Sequence, residues 1–145
     1  MQRDFILRLI EQAGTALKLV LARLREGNVR YSDIAPDLQR AAHLGGLDLD
    51  LLRVCDRDGL LQLIAPTGEA EPARTWLAAE TLYLDALAQD QENGGSLAHE
   101  SFQKAAALFR LLEPTWVLPT GFPEASDRIA EIELHLADLP PHTAA

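Results

Sequence analysis

Histidine and carboxylate side chains are the first candidates for chemistry, because together they bind metal ions and move protons. The sequence assigns its four histidines, His43, His99, His135 and His142, to separate helices or to the tail. Only Glu131 and His135 share a predicted helix face. A structural metal ion needs three or four ligands, so this pair predicts a surface contact and no metal site.

The segment after Cys55 has acidic residues at the spacing that begins a calcium-binding loop. Asp56, Asp58 and Gly59 match the start of such a loop, but Thr67 stands where its closing glutamate belongs. Capping of a short helix by Asp56 explains the pattern better. Negative charge beside Cys55 disfavours a nucleophilic thiolate, so we expect this cysteine to be a small buried residue.

The motifs typical of common enzymes are missing from the sequence. It contains no nucleophile elbow, no phosphate-binding loop and no dinucleotide-binding glycine pattern. We therefore expect a protein without enzymatic activity and without a cofactor. An active site assembled from residues far apart in the sequence is the alternative.

Charge and composition narrow the partners that we expect. The net charge is −9, with 22 acidic and 13 basic residues, and no basic cluster contains aromatic residues, so binding to nucleic acid is disfavoured. Uncharged apolar runs such as Leu19 to Ala22 are far shorter than the roughly 18 residues of a membrane span. A single cysteine and the lack of a recognisable signal peptide predict a cytoplasmic protein that does not enter the membrane.

Hydrophobic periodicity and turn residues predict an all-α chain. Glycine pairs and prolines separate the helical segments, and Asp48, Asp56 and Ser96 stand where helix caps are needed. Residues 1–139 are expected to form one domain, followed by a frayed tail at 140–145. The helices are expected at 4–26, 32–44, 49–54, 57–65, 72–92, 96–113 and 124–139.

The four longest of the first six helices fall into two pairs with the same internal spacing. The second pair contains Trp76, Ala79, Glu80 and Tyr83, followed by Ala98, Phe102 and Ala105. The first pair has the same steps in Ile10, Ala13, Gly14 and Leu17, and then in Ile34, Leu38 and Ala41. Within each pair, these are the spacings of a tetratricopeptide helix hairpin.

The second hairpin resembles a family of small bacterial all-helical proteins of unknown function that are described as tetratricopeptide-like. The same resemblance is seen in residues 3–12, 44–45 and 47–52. The resemblance covers most of residues 1–113. It implies two long antiparallel helix pairs with short connecting helices and a C-terminal helix. It implies no particular activity.

A polar strip on the first helix is the main candidate for binding. Arg8, Glu11, Thr15 and Lys18 recur at steps of three and four, so they share one helix face. The tetratricopeptide resemblance places the same four residues and Leu19 in a peptide-binding groove. It adds positions on the third long helix, namely Arg74, Leu77, Thr81, Leu84 and Asp85. The alternative is that the strip is the solvated face of an amphipathic helix.

A second candidate surface lies on the proline-rich loop before the last helix. Its apolar residues are Trp116, Val117, Leu118 and Phe122. Such a cluster either folds back over the helix hairpin, which we favour, or is presented to another chain. The sequence thus predicts an interaction module with a protein or peptide partner. The alternative is a homodimer or larger homo-oligomer built through the first helix or this loop.

Overall fold

The computed structural model describes residues 2–27, 29–65, 71–93, 96–112 and 121–138. Within these ranges the chain is all-helical and contains no β-strand, as the sequence predicts. The seven helices of the described ranges are α1 (Gln2–Glu26), α2 (Tyr31–Leu44), α3 (Leu49–Val54), α4 (Arg57–Ile64), α5 (Pro72–Asn93), α6 (Ser96–Phe109) and α7 (Ala125–Asp138).

Side-chain caps start the two short helices where the sequence places them. Asp48 Oδ1 accepts a hydrogen bond from the Asp50 N–H at 2.9 Å, and Asp56 Oδ1 accepts one from the Gly59 N–H at 2.8 Å. These bonds satisfy backbone donors that have no partner inside the helix. Gln39 of α2 adds a support that the sequence did not reveal, because its amide donates to Asp48 Oδ1 and accepts from the Leu49 N–H.

Helix α6 is shorter than its sequence pattern predicts. The pattern extends to residue 113, but the helix ends at Phe109 and the chain continues as a turn to Leu112. In that turn the N–H groups of Leu111 and Leu112 bond three residues back, to Leu108 and Phe109. Pro114 follows in the sequence, and a proline disfavours helical geometry in the residue before it, which shortens the helix.

Helix α5 lies at the centre of the bundle. Every residue from 75 to 86 is buried, and this stretch holds mostly alanine, leucine and aromatic residues. A helix that is apolar on all sides must be covered on all sides. Helices α1, α2, α3, α4 and α6 all pack against it.

The long helices alternate in direction. Gly45, which follows α2, lies beside both Ile10 of α1 and Leu77 of α5, and Gln91 of α5 donates to the Leu24 carbonyl of α1 at 3.1 Å. Helices α1 and α5 therefore run in the same direction, with α2 antiparallel to both. Helix α6 returns along α5 to complete the second antiparallel pair.

Helix α7 packs against α6, and apolar residues on one side of it join the core. Ile132 is fully buried, while Ala125, Ile129 and Leu136 pack against the core with partial exposure. The His135 ring stacks on Phe102 of α6, with centroids 4.8 Å apart and planes within 9°. These contacts place α7 beside the buried polar residues of α5.

Candidate functional site

A buried ionic cluster joins α7 to α5. Glu80 has no solvent exposure, and its two carboxylate oxygens accept from Arg128 Nε at 2.8 and 3.1 Å. Arg128 Nη1 donates to Glu131 Oε2 at 2.8 Å, and the Tyr83 hydroxyl donates to the same oxygen at 2.6 Å. The guanidinium also lies over the Tyr83 ring, 4.4 Å from its centroid. Each charged group in the cluster is thus paired with another.

Burial dominates the electrostatics of this cluster. It raises the pKa of the Glu80 carboxyl above its ordinary value, with the Arg128 guanidinium opposing the change. Burial also raises the pKa of the Tyr83 hydroxyl, and the bond to Glu131 adds to that rise. Tyr83 therefore keeps its proton at neutral pH, and Arg128 keeps its charge. In these protonation states the hydrogen bonds that join α7 to α5 are retained.

A second cluster surrounds Asp85, which is also fully buried. Arg53 of α3 donates to it through Nε at 3.2 Å and Nη2 at 2.7 Å. The Tyr31 hydroxyl and the Gln89 amide also donate to the Asp85 carboxylate, at 2.5 and 2.7 Å. Burial raises the pKa of Asp85 to about 6, with Arg53 opposing the change. The cluster ties α2 and α3 to α5.

The structure leaves the polar strip of α1 open to solvent. Arg8, Glu11, Thr15 and Lys18 are all exposed and lie on one face of the helix. The Thr15 hydroxyl donates to the Glu11 carbonyl at 3.2 Å. Leu19, next to Lys18, is 65% exposed. This half of the predicted groove is accessible to a partner.

The half of the groove assigned to α5 needs correction. Thr81 and Asp85 have no solvent exposure, and Leu77 and Leu84 are buried with them. Arg74 is half-buried, beside Gly46. The physical reason is the central position of α5, which turns this face towards α1, α2 and α3. A peptide on the surface cannot reach Thr81 or Asp85, so those two residues do not line an open groove.

Phe122 folds back onto the bundle. Its ring packs edge-on against Trp76 of α5, with centroids 4.9 Å apart, and Lys18 Nζ lies 5.5 Å from its centroid on the side of α1. Phe122 thus touches both α1 and α5 and is only partly exposed. The favoured interpretation of the loop is confirmed for this residue, while Trp116, Val117 and Leu118 lie outside the described residues.

Glu131 and His135, the residues considered for metal binding, make contacts with other side chains. Glu131 is engaged by Arg128 and Tyr83, and His135 is stacked on Phe102. Across the described residues, no group of three or more histidine, cysteine or acidic side chains is arranged to hold a metal ion. Cys55 is half-buried.

A groove between α4 and α6 is the feature that sequence reasoning missed. Leu60 and Leu108 form its buried floor, while Leu61 and Leu111 line its rim with 38% and 46% exposure. Two arginines and one alanine complete the lining, namely Arg57, Arg110 and Ala107. The groove encloses about 220 Å³. The adjacent leucines at 60 and 61 are only a weak indication of this groove, because the sequence does not distinguish a buried leucine from an exposed one.

Comparison of the chain with protein-family models, curated proteins and solved structures finds no match. In the described part of the molecule, no helix combines the length and the hydropathy that crossing a membrane requires.

Proposed function

We propose that the protein is a non-enzymatic, tetratricopeptide-like interaction module that binds a peptide segment of a partner protein. The order of its helices supports this proposal. Two antiparallel pairs, α1 with α2 and α5 with α6, are separated by the short helices α3 and α4 and followed by α7. The corrected binding surface is the outer face of α1, without a contribution from the buried face of α5.

One observation carries the proposal: the exposed strip of Arg8, Glu11, Thr15 and Lys18 on α1. Its two cations suit carboxylates of a partner, its glutamate suits a cation, and its hydroxyl is a further hydrogen-bonding group. Leu19 adds an exposed apolar contact beside the charges. A peptide with mixed charge and at least one apolar side chain matches this pattern.

The buried clusters support a non-enzymatic protein. Glu80 and Asp85 are the two fully buried carboxylates of the described residues, and each is bonded to an arginine of another helix. Such pairing holds helices together and gives a substrate no access to the carboxylates. The two buried carboxylates, which are the groups best suited to acid–base chemistry, thus stabilise the packing of the helices.

The double variant Arg8→Ala with Lys18→Ala tests the assignment. Removal of two exposed cations should change the free energy of unfolding by no more than about 0.5 kcal/mol per site, yet reduce capture of the partner. The measurement is a quantitative pull-down from host lysate, followed by the same comparison with the purified partner.

Arg25→Ala with Arg30→Ala is the matched control, because both arginines are exposed and the same charge is removed. The control should capture the partner as the parent does. Equal recovery by the parent and the Arg8/Lys18 variant would refute the α1 surface and leave the strip as a solvated helix face.

The alternative function, self-association through α1, is favoured by two exposed leucines on that helix. Leu7 is 40% exposed and Leu19 is 65% exposed. Sedimentation equilibrium separates the two functions, since a monomer at high concentration removes this alternative. A dimer that Leu19→Arg dissociates would support it instead.

A further inference from the structure

We propose that the groove between α4 and α6 is a second binding site, and that its occupant is an acidic peptide segment. The segment would insert one bulky apolar side chain between flanking carboxylates. This site is separate from the α1 strip, since none of its lining residues belongs to α1. The inference therefore does not depend on the function proposed for α1.

The size of the groove selects a single side chain. Sites for drug-sized molecules enclose about 300–1,000 Å³. The α4–α6 groove encloses about 220 Å³, which is too small for such a ligand. Its lining leucines supply an apolar floor and rim for one aromatic or branched side chain. This is the anchor-in-pocket arrangement that dominates the affinity of many interfaces.

The charge of the rim selects an acidic segment. Arg57 makes no ion pair with any described residue, and the preceding carboxylate, Asp56, caps the Gly59 N–H. Asp58 is not among the residues that line the groove. Arg57 is also the first residue of α4, where the helix dipole disfavours a cation, so a ligand carboxylate there would relieve the charge.

Arg110 is available to a ligand because its internal contact is weak. Its Nη2 lies 3.5 Å from Glu133 of α7, and both side chains are more than half exposed. Ion pairs of this kind contribute little in water, so a ligand carboxylate can replace Glu133. The two arginines thus place positive charge at the rim of an apolar pocket, on a chain whose net charge is −9. That local contrast favours an acidic segment at this groove.

Synthetic peptides test the proposal with the full chain. The probe is a series of labelled 14-residue peptides, each with one phenylalanine, leucine or tryptophan flanked by glutamates on both sides. Fluorescence anisotropy should show binding by the parent. Replacing the anchor with serine should weaken binding about tenfold or more, as expected for the loss of a buried apolar anchor.

A charge exchange supplies the decisive comparison. Arg57→Glu with Arg110→Glu should bind the glutamate peptide about tenfold more weakly and should bind a lysine-flanked version more tightly than the parent does. Arg25→Glu with Arg30→Glu carries the same change of charge at other exposed positions and should behave as the parent. Ala107→Trp, which fills the groove, should abolish binding of both peptides.

Several results would overturn the inference. One is that no peptide of the series binds the parent at about 1 mM, and another is that the charge exchange has no effect. Tighter binding of octanoate than of every peptide would identify a small amphiphile as the occupant, and a concentration-dependent dimer that Ala107→Trp dissociates would identify a second copy. Arg8→Ala with Lys18→Ala should leave peptide binding unchanged, so failure of the α1 proposal and failure of this one are distinguishable.

Discussion

Arg128→Met removes the guanidinium that balances the buried carboxylate of Glu80. The side chains of both residues are almost completely buried, and the two groups are joined by contacts of 2.8 and 3.1 Å. Breaking such a pair costs about 3–5 kcal/mol, because a charge is left without a partner in a medium of low polarity. The variant can limit this cost by protonating Glu80.

The ordinary pKa of glutamate determines how much protonation of Glu80 can reduce the loss of stability. A glutamate with an ordinary pKa of 4.5 costs about 4 kcal/mol to protonate at pH 7.5, but only about 1 kcal/mol at pH 5.5. Loss of Arg128 leaves burial unopposed, so the pKa of Glu80 in the folded variant rises further. The contribution of Glu80 to the stability of the variant is therefore greatest below pH 4.5 and is lost as the pH rises through the folded pKa.

Urea unfolding followed by circular dichroism at pH 5.5, 6.5 and 7.5 measures the effect. The variant should be less stable than the parent by about 3–4 kcal/mol at pH 7.5, and most of this deficit should disappear at pH 5.5. Adding Glu80→Gln to Arg128→Met should recover much of the loss at pH 7.5. The reasoning would be refuted if the variant were destabilised equally at pH 5.5 and pH 7.5. It would also be refuted if Glu80→Gln did not restore stability to Arg128→Met at pH 7.5.

Two further predictions concern other contacts of α5. Burial raises the pKa of Asp85 from 3.8 to about 6. The parent should therefore lose stability relative to Asp85→Asn as the pH rises from about 4 to about 6. A difference in unfolding free energy between the two proteins that is independent of pH would contradict this. Gly45→Ala should cost about 1–3 kcal/mol in urea unfolding, because the added methyl group would overlap Leu77 Cδ2 and crowd Ile10; unchanged stability would mean that the core adjusts freely there.

The helices could be predicted because their signals are local. The period of apolar residues and the caps at Asp48 and Asp56 act over a few neighbouring positions, and the observed bounds of α3 match the prediction. The main error, at the end of α6, comes from a short turn that keeps the same apolar pattern. Local chemistry thus determined where helices form but left their termini less certain.

The faces of α5 could not be predicted from the sequence. Because it is apolar nearly all round, its pattern does not reveal which neighbour covers which face. Its two buried carboxylates look like surface residues in a sequence, yet their arginine partners lie 48 residues away for Glu80 and 32 away for Asp85. Only the folded chain brings these pairs together, which is why the exposure of the α1 residues could be predicted and the burial of the α5 residues could not.

Placement of the two carboxylates gives α5 a defined rotation within the bundle. Five residues of an α-helix turn the chain by roughly 140° beyond a full turn, so Glu80 and Asp85 point to different sides. Glu80 binds Arg128 of α7, while Asp85 binds Arg53 of α3 and Tyr31 of α2. An apolar helix alone packs acceptably in several rotations, but a rotation that moves Glu80 or Asp85 away from its arginine leaves a buried charge unpaired. The same pairing bonds α7 to α5, so the pH-dependent loss expected for Arg128→Met measures what this contact between the two helices contributes to the stability of the fold.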